Sequence, residues 1–266
     1  MKLPLFDAHN HVHLGPASPM LAATSELCGF SLMSTHPRDF PVVSRTINEL
    51  SKHRPDASYV PCFGVHPWFL HEVDVSETEW LQDLEDVLEN HPQAAVGEIG
   101  LDGHRYNPDT GNLSSAMEDQ LRVFEAQMRI AHRYERAASV HAVQCWGPLM
   151  TLLSKLKKEQ QLPRKIYFHA FGATVGFSDQ LVALLGKSVD LYFGFAPVIN
   201  MRSPKTADVV RKIGISRIVL ETDLEDASYV SRDIVQSAKF VSEALDLPLD
   251  EVVINAWNNA RRLYGI

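Results

Sequence analysis

Six residues able to bind a metal lie along the chain in the order His, His, Glu, His, His, Asp. They are His9 and His11 in FDAHNH, Glu98 in AVGEIG, His141 in ASVHA, His169 in IYFHA and Asp223 in IVLETD. Each falls at or just after the end of a β-rich run. Imidazole and carboxylate suit divalent transition metals, and an acid at a strand end packed into an apolar core needs a partner. Taken singly, His141 or His169 reads as a hydrogen-bonded core histidine, and Asp223 as the cap of the following helix. Glu98 alone reads as an ion-pair partner of Arg105. Six such residues in series read instead as one metal centre drawn from distant parts of the chain.

The elements that must position them are legible. Strands are expected at Leu3–Asp7, Phe30–Ser34, Tyr59–Gly64, Ala94–Glu98, Ala138–His141, Lys165–Phe168, Leu191–Phe195 and Arg217–Glu221. Between them run helical patterns, at Glu118–Tyr134, Trp146–Glu159, Ser178–Leu185, Thr206–Ile213, Ser228–Leu245 and Leu249–Tyr264. In the first of these, Leu121, Phe124 and Met128 fall on one stripe. Strands alternating with helices imply βαβ units and a parallel sheet. Eight strands are the number that closes a (β/α)8 TIM barrel, and 266 residues read as one such domain. The longest irregular stretches, Val12–Gly29 and His104–Ser115, both follow ligand-bearing strands and are expected on the functional face.

A barrel of this kind gathers its active site at the carboxyl ends of the strands. His9 and His11, two apart on an extended segment, point to the same side and share one ion, with Asp7 as an orienting carboxylate. Glu98 has an oxygen for each of two ions about 3.5–4 Å apart. His141 and His169, from neighbouring strands, complete the second site. Asp223, on the strand next to the first, closes on the His9/His11 ion and is placed to accept a proton from a water. Two divalent ions (Zn, Mg or Mn) would lower the pKa of that water and polarise the electrophile, which is metal-assisted hydrolysis. His66 in CFGVHPW follows the third strand; it reads either as a turn histidine before Pro67 or as a contact to substrate or leaving group. Trp68 and Trp146 are candidate pocket walls.

FDAHNH, GVHPW, AVGEIGLD, the pattern Gln120-x3-Phe124-x2-Gln127-x3-Ala131, the His141 and His169 segments, LETD and the closing NNARRLYG together resemble the TatD family of metal-dependent hydrolases. The resemblance runs through essentially the whole chain. It implies a TIM barrel, two metal ions and hydrolysis of phosphodiester bonds in DNA, typically from an end. It carries the ligand role to His9, His11, Glu98, His141, His169 and Asp223, and a substrate-side role to His66. The chain departs from the usual pattern after His141, where Ala142-Val143 stand in place of Ser-Arg, and after Asp223, where Leu224-Glu225 stand in place of Ala-Pro. Arg105, Arg202 and Lys205 are candidates to replace the lost phosphate contact.

Composition agrees with an enzyme and narrows the alternatives. Twelve histidines against four tryptophans favour metal or acid–base chemistry over simple binding. A net charge of −8 excludes a generally basic, nucleic-acid-coating surface but not a local basic rim. Cys28, Cys62 and Cys145 form no CxxC pair and read as reduced structural thiols, hence a cytosolic or nuclear protein. The N-terminus enters strand and motif at once, leaving no signal peptide, and no run is apolar enough to span a membrane. Two alternatives stand beside the DNase expectation: an amide or ester hydrolase of amidohydrolase type, and a barrel serving as a protein-interaction module. Nothing in the sequence marks a protein partner.

Overall fold

The computed structural model describes residues 3–16, 20–74, 78–104 and 115–266. Seven parallel strands form one sheet in sequence order: β1 Phe6–Asn10, β2 Gly29–Met33, β3 Ser58–Phe63, β4 Ala95–Asp102, β5 Ala138–Val143, β6 Lys165–Phe168 and β7 Asp190–Phe193. Most of their residues are buried on both faces, as expected of strands lined inside by side chains and covered outside by helices. The covering helices are α1 Met20–Ala23, α2 Phe40–His53, α3 Glu79–Asn90, α4 Met117–Arg133, α5 Trp146–Lys158, α6 Val175–Leu185, α7 Pro197–Asn200, α8 Thr206–Ile213, α9 Ala227–Leu245 and α10 Leu249–Tyr264. Each longer helix buries one stripe: Val43, Ile47 and Leu50 in α2, and Leu149, Leu153 and Leu156 in α5, join the apolar layer around Phe63, Phe124 and Phe168.

The sheet curls until its two edges meet through the segment 218–224. On one side Val219 N donates to Phe193 O at 3.0 Å. On the other, Ala8 N donates to Leu220 O at 2.8 Å, Asp223 N to His9 O at 2.9 Å and His11 N to Leu224 O at 2.8 Å. The TIM-type barrel is therefore closed, but the eighth strand expected at Arg217–Glu221 is not a regular one. A 3-10 turn occupies Ile215–Arg217, and among the described residues one bridge, Phe193 to Ile218, pairs the segment that follows it with β7. Side chains supply the bonds a ladder would have made. Asn259 Nδ2 donates to Ile215 O and Ile218 O, both at 2.7 Å, and Asp7 accepts from Thr222 N at 2.9 Å and Thr222 Oγ1 at 2.7 Å.

Two glycines allow the strands to approach as they do. Gly100, in β4 with φ +148°, has the backbone of His141 where a Cβ would sit. Gly194, just after β7, leaves the space filled by the Tyr167 hydroxyl and the Glu221 carboxylate. Of the two long loops, Val12–Gly29 contains the short α1, and most of His104–Ser115 lies outside the described residues.

Candidate metal centre

β1, β4, β5 and β6 bring His9, His11, Glu98, His141 and His169 to one end of the barrel, and the segment after Leu220 brings Asp223. His9, His11, Glu98, His141 and His169 are buried, Glu98 to 2% exposure, so each must be satisfied inside the protein. Glu98 stands in the middle. Its Oε2 lies 2.9 Å from His11 Nε2 and 3.3 Å from His9 Nε2. Its Oε1 lies 2.6 Å from His169 Nε2, 3.0 Å from His141 Nδ1 and 3.1 Å from His66 Nε2. Asp223 Oδ1 falls on the first side, 3.5 Å from His9 Nε2 and 3.7 Å from His11 Nε2. All six residues singled out in the sequence thus converge, and the two oxygens of one carboxylate face two sets of imidazoles.

The orientation of each ring follows from its other nitrogen. Met33 O lies 2.9 Å from His11 Nδ1 and can only accept, so the proton sits on Nδ1 and the Nε2 lone pair faces inward. Asp102 Oδ2, 3.1 Å from His141 Nε2, likewise puts that proton on Nε2 and turns the Nδ1 lone pair toward Glu98 and His169. His66 is the reverse. Its Nδ1 accepts from Trp68 N at 3.1 Å, so Nε2 carries the hydrogen and donates toward Glu98 Oε1. His9 Nδ1 meets Ser139 Oγ at 3.2 Å.

Lone pairs crowding a carboxylate call for a cation. Burial opposes charge on His11 and His141, yet both are pushed up to about 9, His11 by Glu98 and Asp223, His141 by Asp102 and Glu98, so a proton takes up the inward lone pair of each unless another cation does. Burial would raise Glu98, but His169, His66, His9 and His11 hold it well below the ordinary carboxylate range. Burial lowers His9, helped by the neighbouring imidazoles, and takes His66 down to about 4, so His66 is neutral. Asp223 is raised by burial and by Glu98. The donors fit divalent ions on this ground: ring nitrogens and carboxylate oxygens aim at common points, His9 Nε2 and His11 Nε2 being 3.2 Å apart. Among the described residues three trios are tight enough to share an ion: His9–His169–Glu221, His9–His11–Glu98 and His66–Glu98–His141.

A cavity of about 660 Å3 opens over these groups, lined by the apolar Leu14, Trp68, Phe69 and Ile199 and by the acids Asp223 and Glu225. Trp68 is a wall as expected. Trp146 is not; it packs on Phe177 of α6 at 4.7 Å between ring centres, held there by the apolar layer under α5. Arg202 and Lys205 are exposed and do not line the cavity, and Arg105 lies outside the described residues. Asp7 does not touch an imidazole. It accepts from the backbone of His9 at 3.3 Å and from Thr222, and so orients His9 through the main chain. Asp223 does not cap α9 either; Asp226 does, accepting from Ser228 N at 2.9 Å.

The sequence profile of the family described as TatD related DNase matches residues 6–265. The chain belongs to that family. Among curated relatives of this TatD-family chain, Schizosaccharomyces pombe Cut9-interacting protein scn1 is 26% identical, with 97% of each chain covered. Human deoxyribonuclease TATDN3 is 27% identical over 82% of this chain and 78% of its own. Escherichia coli YjjV, named an uncharacterized metal-dependent hydrolase, is 28% identical over 79% of each. The crystal structure of YjjV superimposes with a TM-score of 0.81 at 24% identity, covering all of both chains, and so shares the fold.

Three residues at the TatD-type site had no role in the sequence reading. Asp102 and Ser139 stand behind His141 and His9. Glu221, fully buried, accepts from Ala170 N at 2.6 Å and from the Tyr167 hydroxyl, and burial pushes it up to about 8. A second acid two residues before Asp223 was the available signal for Glu221.

Proposed function

We propose that the chain is a two-metal phosphodiesterase that releases nucleotides from DNA ends. The observation that carries this reading is the division of labour at Glu98, whose two oxygens each face separate imidazole nitrogens. His9, His11 and Asp223 would hold one ion, His141 and His169 the other, with Glu98 shared between them. Bound there, zinc, magnesium or manganese would lower the pKa of a water and neutralise charge on a phosphoryl oxygen. The mixed nitrogen and oxygen donors are compatible with all three metals.

The protein's own groups do the rest. Asp223, its carboxyl raised and its side chain lining the cavity, takes the proton of the attacking water on the carboxylate oxygen that is not turned to His9 and His11. His66 carries a neutral Nε2–H, resting on Glu98 Oε1, that can turn to hydrogen-bond an oxygen of the scissile group without transferring its proton. Trp68, Phe69 and Ile199 exclude water from one side and give a nucleobase an apolar wall.

The test is release of nucleotides from single- and double-stranded DNA by metal-reconstituted protein, beside Glu98→Ala. Release that needs the metal and disappears in the variant is expected. Bound metal without release from DNA would replace this reading with an amide or ester substrate. The name of the fission-yeast relative supports a second reading, a barrel that binds a protein partner. Protein that holds no metal and degrades no DNA would leave that reading standing.

A further inference from the structure

We propose that Asp102 is the positioning residue of the second ion: its carboxylate locks His141 with Nδ1 toward Glu98, and Trp68 holds that carboxylate in place. The inference rests on the two-ion reading above. Asp102 ends β4 four residues after Glu98 and is 3% exposed. Its Oδ2 lies 3.1 Å from His141 Nε2. A carboxylate only accepts, so the imidazole must carry its hydrogen on Nε2 and keep the Nδ1 lone pair for the site, 3.0 Å from Glu98 Oε1 and 3.2 Å from His169 Nε2. The opposite tautomer would set a lone pair against the carboxylate and an N–H against the ion.

Asp102 is itself fixed from three elements, two at its carboxylate and one at its main chain. Trp68 Nε1, from the turn after β3, donates to the same Oδ2 at 2.7 Å. His104 N, from the segment after β4, donates to Oδ1 at 2.7 Å. Gln120 of α4 clamps the main chain of Asp102, accepting from its N–H at 2.7 Å and donating to its carbonyl at 3.0 Å. Asp102 therefore has little freedom to follow a His141 that turns away. A carboxylate behind a ligating histidine also raises its basicity, and losing such a partner weakens metal binding by about 10–100-fold.

The arrangement is one-sided, which makes it testable. On the other side of Glu98 the rings are backed by neutral groups, Met33 O for His11 and Ser139 Oγ for His9. His169 Nδ1 meets no hydrogen-bond partner among the described residues. Asp102 should thus act on one of the two ions and leave the other nearly untouched.

The experiment titrates the metal-free full chain with Zn2+ against a chromophoric chelator, without substrate, for the parent, Asp102→Asn, Asp102→Glu and Trp68→Phe. The parent is expected to show two constants. In Asp102→Asn one weakens by about 10–100-fold while the other stays within about twofold. Trp68→Phe shifts the same constant by less, and Asp102→Glu recovers part of the loss. If Asp102→Asn does not fold, Trp68→Phe decides. Two parental constants in each folded variant, or equal weakening of both, would overturn the role of Asp102 alone. A parent that binds no ion would overturn the two-ion reading and this inference together.

Discussion

The chemistry depends on which nitrogen of each histidine carries its proton, and neighbours decide that. Met33 O and Asp102 leave His11 and His141 with inward lone pairs, whereas the backbone of Trp68 gives His66 an inward N–H. His66 is therefore a donor rather than a ligand, and His66→Gln should lower kcat on the order of 100-fold while keeping both metal constants. Parental turnover, or loss of metal, would contradict that assignment. The convergence of the six residues was legible in the sequence because an acid or histidine after a β-rich run is conspicuous, and six in register with strands point to one end of a barrel. The tautomers were not legible. They depend on a main-chain carbonyl of β2, a serine of β5 and the last residue of β4, which look ordinary in a sequence. Asp7 was legible as an orienting carboxylate but its route was not: it reaches the main chain of His9 rather than the ring, with Thr222 as its other partner.

Among the elements, α4 braces the strand ends that carry the site. Gln120 and Gln127, two turns apart on one face, reach through the wall of the barrel. Gln127 accepts from Val65 N at 2.7 Å and donates to Val65 O at 3.0 Å, fixing the residue before His66. Gln127→Leu keeps the volume but strands both main-chain groups, and should cost about 2–4 kcal/mol in denaturant unfolding. A cost near zero would mean the β3 turn holds itself. On its outer face Glu125 accepts from Arg129 at 2.7 Å and Lys155 at 2.7 Å. Partial burial would raise Glu125, but these cations hold it below its ordinary 4.5, so its stabilisation is present at neutral pH and fades as the pH falls. Glu125→Gln should then cost no more than about 1 kcal/mol at pH 7, the cations being half in water, and the gap should narrow below pH 4.5. A gap constant with pH would remove the ion pair as its cause. The long helices were legible from their stripes, and α10 falls at Leu249–Tyr264 as expected. The eighth strand was misread because Asn259 and Asp7 replace ladder bonds, which periodicity cannot register.

For the molecule as a whole, closure of the barrel through 218–224 is what brings Asp223 from the far end of the chain to His9 and His11. The sequence carried this because eight β-rich runs and a parallel sheet leave the last strand beside the first. Among the described residues no helix is long and apolar enough to cross a membrane. With a net charge of −8, the molecule offers a polyanion little long-range attraction, so the proposed DNA substrate would have to be held at the centre over Glu98. The most direct measurement is anomalous scattering from crystals of the full chain grown with Mn2+. The account predicts two peaks about 3.5–4 Å apart, one against each oxygen of Glu98, with Asp223 on the His9/His11 side. A single peak away from Glu98, or two peaks that share no carboxylate, would contradict it.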